Sequence, residues 1–193
     1  GGMVIDQLPE DQIVPIDARV VQRKGGTSGS GMRLTSISHL RVVHVRGDVV
    51  CDFDINRTFA PKTKYEIFGI EDPRITRIDE TFYITYVAVS PHGAATALAS
   101  TNDFRVFERH GIIFSPENKD VLIFPERIGG KYVAIHRPNP SMHFAPPEMW
   151  LAYSDDLIHW GKHVQLLGTG QVAAATDSVI GDLVDQEEAP DRA

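Results

Sequence analysis

Short runs in which apolar and polar residues alternate dominate this chain and predict β-strands. Three pairs of such runs lie at residues 40–51, 75–86 and 124–135. The members of each pair are separated by two-residue steps, namely Gly47-Asp48, Asp79-Glu80 and Gly129-Gly130. Because steps of this kind favour tight turns, each pair is predicted to form a β-hairpin. No long stretch of the sequence has a 3.6-residue apolar period with helix caps, so the pattern predicts an all-β protein.

An internal repeat refines this prediction. Residues 98–107 align with residues 151–160, and in both copies a run of small residues enters a polar turn with Asp and ends on an aromatic residue. The spacing is about 53 residues, and one further period back leads to the region of residue 53. Several short strands per repeat of this length are typical of β-propeller blades. Only about three such repeats are recognisable, whereas propellers have about four to eight blades.

Composition narrows the class of partner. The chain has 42% hydrophobic and 23% charged residues, as in ordinary soluble globular proteins. Its net charge is −7 and its basic residues are scattered, which argues against a nucleic-acid-binding surface. Cys51 is the only cysteine, which excludes an internal disulfide and a CxxC metal site. Because Cys51 follows two valines, we expect it to be a small buried residue.

The two ends of the chain differ from its middle. Residues 1–33 are predicted to be a tag remnant followed by an irregular segment, residues 34–168 to be propeller blades, and residues 169–193 to be a polar tail. No apolar run reaches 18 residues and no export signal is recognisable. We therefore expect no membrane association and a cytoplasmic location.

The most informative segment for chemistry is residues 69–76. Here Glu71, Asp72 and Arg74 surround Pro73, just before a strongly β-prone run. This arrangement predicts a turn that presents a reactive carboxyl group at the mouth of a strand. An exposed turn with a local Arg–Asp pair is the structural alternative. The sequence contains no HExxH motif, GxSxG motif or P-loop, and we expect no metal site.

Seven segments together resemble glycoside hydrolase family 130, which comprises mannoside phosphorylases and β-mannosidases built on a five-bladed β-propeller. They are residues 69–76, 82–86, 103–109, 118–120, 124–128, 136–138 and 154–161, and they span roughly residues 34–167 in order. After residue 167 and near residues 12–35 the family pattern is not recognisable in the sequence. The resemblance therefore implies an all-β propeller of the five-bladed type, apparently truncated, with about three blades present.

The resemblance also implies roles for particular residues. Asp72, the aspartate of the Asp-Pro-Arg segment, corresponds to the family's general acid. Burial and the charge of Glu71 would favour its protonated form, whereas Arg74 would oppose it. Two groups of binding residues are implied: Glu71, Arg74 and Asp120 for the sugar, and Lys119, His136 and Arg137 for phosphate.

The implied reaction is inverting cleavage of β-mannosides. Phosphorolysis to mannose 1-phosphate is favoured because Lys119 and Arg137 are basic, and inorganic phosphate would be a co-substrate with no organic cofactor. The alternatives are hydrolysis, with a glutamate such as Glu126 as base, and a truncated non-catalytic carbohydrate-binding or assembly module. The expected partners are a β-mannoside oligosaccharide and inorganic phosphate. Open blade edges would favour homo-oligomers.

Overall fold

The computed structural model describes residues 5–26, 31–52, 58–140 and 146–168. The chain divides into two compact units, Gly1–Ser38 and His39–Ala193. The predicted polar tail at residues 169–193 lies outside the described residues. No helix in the described part of the chain is long and apolar enough to cross a membrane.

The first unit contains a small antiparallel sheet. A 3₁₀ turn, Glu10–Gln12, leads into β1 (Ile13–Pro15), β2 (Val20–Arg23) and β3 (Met32–Leu34), which pair in that order. The turn between β1 and β2 is held by Asp17, whose Oδ1 accepts backbone N–H groups at 2.7 and 2.8 Å. Strands β1 and β2 thus lie within the segment that was expected to be irregular, and they are too short to give a clear alternating pattern in the sequence.

The regular secondary structure in the described part of the second unit consists of strands only. The strands are β4 (Leu40–Arg41), β5 (His44–Arg46), β6 (Val49–Asp52), β7 (Thr58–Phe59), β8 (Gly69–Ile78), β9 (Thr81–Ser90), β10 (Gly93–Thr101), β11 (Glu108–Phe114), β12 (Asn118–Ile123), β13 (Tyr132–Pro138), β14 (Met149–Ser154) and β15 (Trp160–Leu167). Strands β8–β11 form one four-stranded antiparallel sheet, here called sheet I, and β12–β15 form a second, sheet II. Strand β4 pairs with β7, and β5 pairs with β6. The all-β prediction is confirmed.

Two of the predicted hairpin turns are present, although the first strand of one is shorter than predicted, because Leu40–Arg41 forms β4 and pairs with β7. Strands β5 and β6 are joined through Gly47-Asp48, and β8 and β9 through Asp79-Glu80. The third hairpin has a different first strand, because β12 ends at Ile123 and residues 124–131 form the connection to β13. A bridge between Ile128 and Lys131 closes that connection around the two glycines.

Cys51 lies in β6 and is exposed, contrary to the expected burial. The reason is that β5 and β6 form a sheet of only two strands, whose valines are exposed as well. A two-stranded ribbon has little surface with which to cover its own side chains.

The sequence repeat corresponds to a turn that recurs once in each large sheet. In sheet I the Oδ1 atom of Asp103 accepts the backbone N–H groups two and three residues later, at 2.8 and 3.1 Å. Asp156 does the same in sheet II at 2.9 and 2.8 Å. In both turns the hydroxyl of the residue two positions earlier, Thr101 or Ser154, accepts a further backbone N–H. These backbone hydrogen bonds lower the pKa of both carboxyl groups, so the repeated aspartates are structural.

Sheet II packs against one face of sheet I through an apolar core. The buried members are Leu98, Ile113, Phe114, Val121, Ile123, Ala134, Ala152 and Leu157. A row of threonine hydroxyls reinforces the contact by donating to carbonyl oxygens of β12. The pairs are Thr76 with Ile123 at 2.9 Å, Thr85 with Val121 at 2.6 Å and Thr96 with Asn118 at 3.2 Å. Packed antiparallel sheets of four consecutive strands are the arrangement of successive propeller blades.

Candidate active site

Strands β8 and β12 form one edge of sheet I and of sheet II, respectively, and each carries a bulge with an aspartate in the left-handed conformation. On β8 the pairing register shifts between Glu71 and Arg74, and Asp72 has φ 51°. On β12 the register shifts between Lys119 and Leu122, and Asp120 has φ 59°. A β-bulge bends its strand and re-aims the side chains that it contains. The two bulges therefore place an acidic residue at equivalent positions of two neighbouring sheets.

The bulge on β8 corrects one sequence-based interpretation. Asp72 and Pro73 were predicted to form a turn before a strand, but they lie inside β8. Proline lacks an N–H for the ladder, and a bulge is a position where a strand tolerates this loss. Asp72 is exposed and Glu71 is half-buried. The partly desolvated pocket expected around Asp72 is thus not formed by the described residues.

Asp120 brings two arginines together from different sheets. Its Oδ2 accepts hydrogen bonds from Nε of Arg137, at 3.0 Å, and from Nη2 of the same residue. Its Oδ1 lies 3.8 Å from Nη2 of Arg74, which comes from β8. Three residues predicted for the site, Arg74, Asp120 and Arg137, therefore form one cluster across the contact between the sheets.

Lys119 lies next to this cluster in the strand register. Lys119 and Arg137 are direct partners in the pairing of β12 with β13. Directly opposed residues of an antiparallel pair project to the same face, and opposed like charges repel each other. Such a pair is stabilised when an anion lies between or beside the two cations. Asp120 supplies one negative charge here, and a bound phosphate would supply more.

His136 lies apart from the cations. It is 3% exposed and stacks on Phe114 with a ring separation of 4.7 Å. Since neighbouring residues of a strand point to opposite faces, His136 faces the core while Arg137 faces the cluster. Its Nδ1 is 2.9 Å from Nδ2 of Asn118, and its Nε2 is 3.1 Å from Nδ1 of His163. Burial and the neighbouring His163 lower the pKa of His136 to about 4, so it is neutral at pH 7.

A buried polar network on the other side of sheet I was not found from the sequence. Glu66, 1% exposed, accepts backbone N–H groups of Lys62 and Thr63 at 2.6 and 2.9 Å. It also accepts the hydroxyl of Tyr86 and Nη1 of Arg109, each at 2.7 Å. Burial by itself would raise the pKa of Glu66, but these donors together lower it. The partners are 20 and 43 residues away in sequence, so no local motif indicates this network.

The described residues contain no group of three or more His, Cys, Asp or Glu side chains that could hold a metal ion.

Comparison with known proteins identifies the family. A family model described as beta-1,4-mannooligosaccharide phosphorylase matches residues 43–179. The chain belongs to glycoside hydrolase family 130. The match continues to residue 179, past residue 167, after which the family pattern was not expected from the sequence. The family assignment made from the sequence is confirmed.

Individual family 130 proteins are similar over part of their length. A β-1,2-mannobiose phosphorylase of Listeria innocua is 42% identical over 152 residues, which are 79% of this chain and 42% of that protein. A β-1,4-mannooligosaccharide phosphorylase of Ruminococcus albus is 33% identical over 97 residues, which are 50% of this chain and 29% of that protein. The chain thus spans less than half the length of these relatives.

A solved family 130 structure supports the fold. The complex of the Listeria innocua β-1,2-mannobiose phosphorylase with β-1,2-mannobiose superposes with a TM-score of 0.70 and 40% identity. The superposition covers 84% of this chain and 46% of that one. The fold is accordingly the all-β propeller type of this family, of which the chain contains part, as predicted.

Proposed function

We propose that this protein takes part in the phosphorolysis of β-mannosides, with release of mannose 1-phosphate and inversion at the anomeric carbon. The observation that carries the proposal is the pairing of Arg74 and Arg137 with Asp120 beside the bulge that holds Asp72, with Lys119 directly opposite Arg137 in the strand register. Converging guanidinium groups are suited to bind a phosphate dianion. The relatives named above are phosphorylases of β-mannosides, which supports the same reaction class.

In the proposed reaction Asp72 is the general acid. The glycosidic C–O bond breaks, and the carboxyl proton of Asp72 passes to the leaving oxygen. A phosphate oxygen forms the new bond to the anomeric carbon from the opposite face of the sugar, which inverts the configuration. Phosphate thereby replaces the base and water of an inverting hydrolase. No organic cofactor is needed for these steps.

The proposal assigns the cations to phosphate and differs from the sequence-based expectation for His136. Lys119 and Arg137 project to the face that Asp120 occupies, and they are assigned to the phosphate. His136 is neutral and buried, so it contributes no charge and is assigned a role in holding the start of β12 through Asn118. Glu71 precedes Asp72 on β8 and is assigned to the sugar side, whereas Arg74, which faces Asp120, is assigned to the phosphate together with Lys119 and Arg137.

Hydrolysis is less well supported by the same geometry. Glu126, the alternative base, is exposed in the connection that follows β12. Lys119 and Asp120 lie near the start of β12, whereas Glu126 lies beyond its end at Ile123. A base must act on the sugar face opposite to the acid, so it must lie near the β8 bulge that carries Asp72. The group that lies beside this bulge is the cluster of cations.

The test is product analysis with and without phosphate. The chain is incubated with β-1,2-mannobiose and with β-1,4-mannobiose, each in the presence and absence of inorganic phosphate. Mannose 1-phosphate that forms only with phosphate supports the proposal, and we expect β-1,2-mannobiose to be preferred, given the 42% identical relative. Free mannose formed without phosphate would establish a hydrolase. Saccharide binding without any product would establish a binding module, and the mass in solution, measured on the same samples, would show whether copies associate.

A further inference from the structure

The carboxylate of Asp120 pairs with two arginine side chains. Its Oδ2 accepts from both Nε and Nη2 of Arg137, so the side edge of the guanidinium group donates two charge-assisted hydrogen bonds to one oxygen. Its Oδ1 faces Nη2 of Arg74 at 3.8 Å. The side-on pair leaves Nη1 of Arg137 directed away from Asp120. Asp120 thus pairs with arginine side chains from both sheets, while Arg137 keeps Nη1 as a donor for a ligand.

The backbone at Asp120 shows that an acidic or amide residue suits this position. Its φ of 59° lies in the left-handed region, which Asp and Asn adopt more readily than other residues with side chains. The bulge between Lys119 and Leu122 produces this conformation. It turns the carboxylate toward Arg137 on the neighbouring strand and toward Arg74 on the neighbouring sheet.

The charge balance makes the role of Asp120 testable. The negative charge of Asp120 beside two arginines reduces the positive potential available to a phosphate ion. If potential alone mattered, removal of the charge would strengthen phosphate binding. If the orientation of the guanidinium plane matters more, removal would weaken binding, because an unrestrained arginine must be ordered when the ligand binds.

We propose that Asp120 is a positioning residue, which holds the guanidinium group of Arg137 in the orientation that binds phosphate and ties it to Arg74 across the contact between the sheets. This inference rests on the proposed function and assigns Asp120 a role other than the sugar contact implied by the family resemblance. Asp120 acts through Arg137 and does not touch the reacting atoms.

The central variant is Asp120→Asn. Asparagine tolerates φ 59° and has nearly the same size, so the bulge is retained while the charge and one acceptor are lost. We expect the Kd of inorganic phosphate, measured by titration calorimetry, to rise about tenfold, as for loss of a hydrogen bond to a charged group. The KM for phosphate rises in parallel, while the KM for the mannoside and kcat at saturating phosphate stay within about twofold.

Two further variants separate this role from general effects. Glu80→Gln breaks an exposed carboxylate–arginine pair with Arg77 on the same hairpin and leaves phosphate affinity unchanged. Arg137→Met removes the side chain through which Asp120 acts. The double variant with Arg137→Met and Asp120→Asn is therefore expected to bind phosphate no more weakly than Arg137→Met alone.

Each outcome decides between the alternatives. Unchanged or tighter phosphate binding by Asp120→Asn overturns the proposal. It is also overturned if Asp120→Asn weakens phosphate binding as much in the Arg137→Met background as in the unaltered protein. Absence of phosphate binding by the unaltered protein overturns it as well. If phosphate binds and depends on Asp120 as expected, but no β-mannoside yields mannose 1-phosphate, the positioning role stands and the proposed function fails.

Discussion

The hydroxyl group of Thr85 donates a hydrogen bond of 2.6 Å to the carbonyl oxygen of Val121, and both residues are buried. Thr85 lies on β9 in sheet I, and Val121 lies on β12 at the edge of sheet II. An edge strand has backbone groups without partners in its own sheet, and a buried carbonyl without a donor is costly. The threonine hydroxyl therefore satisfies a carbonyl of β12 where that strand lies over sheet I. This contact fixes the strand that carries Lys119 and Asp120.

Replacement of Thr85 by valine tests the importance of this contact. Valine has the same shape but no hydroxyl, so it leaves the buried carbonyl of Val121 without a donor. We expect Thr85→Val to lower the free energy of unfolding by about 1–3 kcal/mol. Thr85→Ser retains the donor and serves as the control in urea denaturation. Equal stabilities of the valine variant and the unaltered protein would show that the hydrogen bond contributes nothing.

The role of Asp72 as general acid is tested by an amide substitution that is compatible with its backbone conformation. Asp72→Asn keeps the left-handed conformation at φ 51° but cannot donate an acidic proton. We expect mannose 1-phosphate formation to fall about 10²–10⁴-fold, the usual contribution of a general acid. The matched control is Asp79→Asn, because Asp79 has φ 53° in the turn of the same hairpin. Activity retained by Asp72→Asn in a phosphate-dependent assay would exclude Asp72 as the acid.

The network around Glu66 predicts that the nearly isosteric substitution Glu66→Gln strongly lowers the stability of the fold. Glu66→Gln removes the negative charge that compensates the partly buried guanidinium group of Arg109. We expect a loss of about 3 kcal/mol in the free energy of unfolding, since breaking one partner of a buried ion pair leaves an uncompensated charge. Glu80→Gln, in an exposed pair, should change stability by less than about 0.5 kcal/mol. Similar losses for the two variants in chemical denaturation would contradict this ranking.

His136 predicts a dependence of stability on pH. Its pKa of about 4 lies below the usual value of 6.5, so the folded chain binds this proton less readily than the unfolded chain. The stabilisation is fully present above about pH 6.5 and is lost as the pH falls toward about 4. Between pH 7.5 and pH 5 this residue should account for a loss of about 2 kcal/mol.

The variant that checks this dependence is His136→Asn. We expect its free energy of unfolding to be lower at pH 7.5 but to vary less between pH 7.5 and pH 5. His92→Asn, which removes an exposed imidazole, should keep the slope of the unaltered protein. An equal slope in the His136 variant would show that the acid sensitivity arises elsewhere.

Local patterns predicted the parts of this protein that depend on local geometry. The alternation of apolar residues identified the hairpins through Gly47-Asp48 and Asp79-Glu80, because side chains alternate faces with a period of two in any strand. The repeated turns at Asp103 and Asp156 were visible because an aspartate binds backbone groups only two and three residues away. The family could be recognised because such segments occur in a fixed order.

The composition of the candidate site was visible in the sequence, whereas its arrangement was decided by tertiary structure. Arg74 and Asp120 are 46 residues apart, and only the packing of β12 on sheet I brings them within 3.8 Å. The bulges determine where Asp72 and Asp120 point. His136 and Arg137 are neighbours on β13 and therefore lie on opposite faces of that strand. A shift of one residue in register would exchange the two faces of a strand, and no local pattern specifies the register between distant strands. Local sequence patterns therefore specified the hairpin turns at Gly47-Asp48 and Asp79-Glu80, the aspartate turns and the chemical groups available, and the packing of the two sheets decides which of those groups meet.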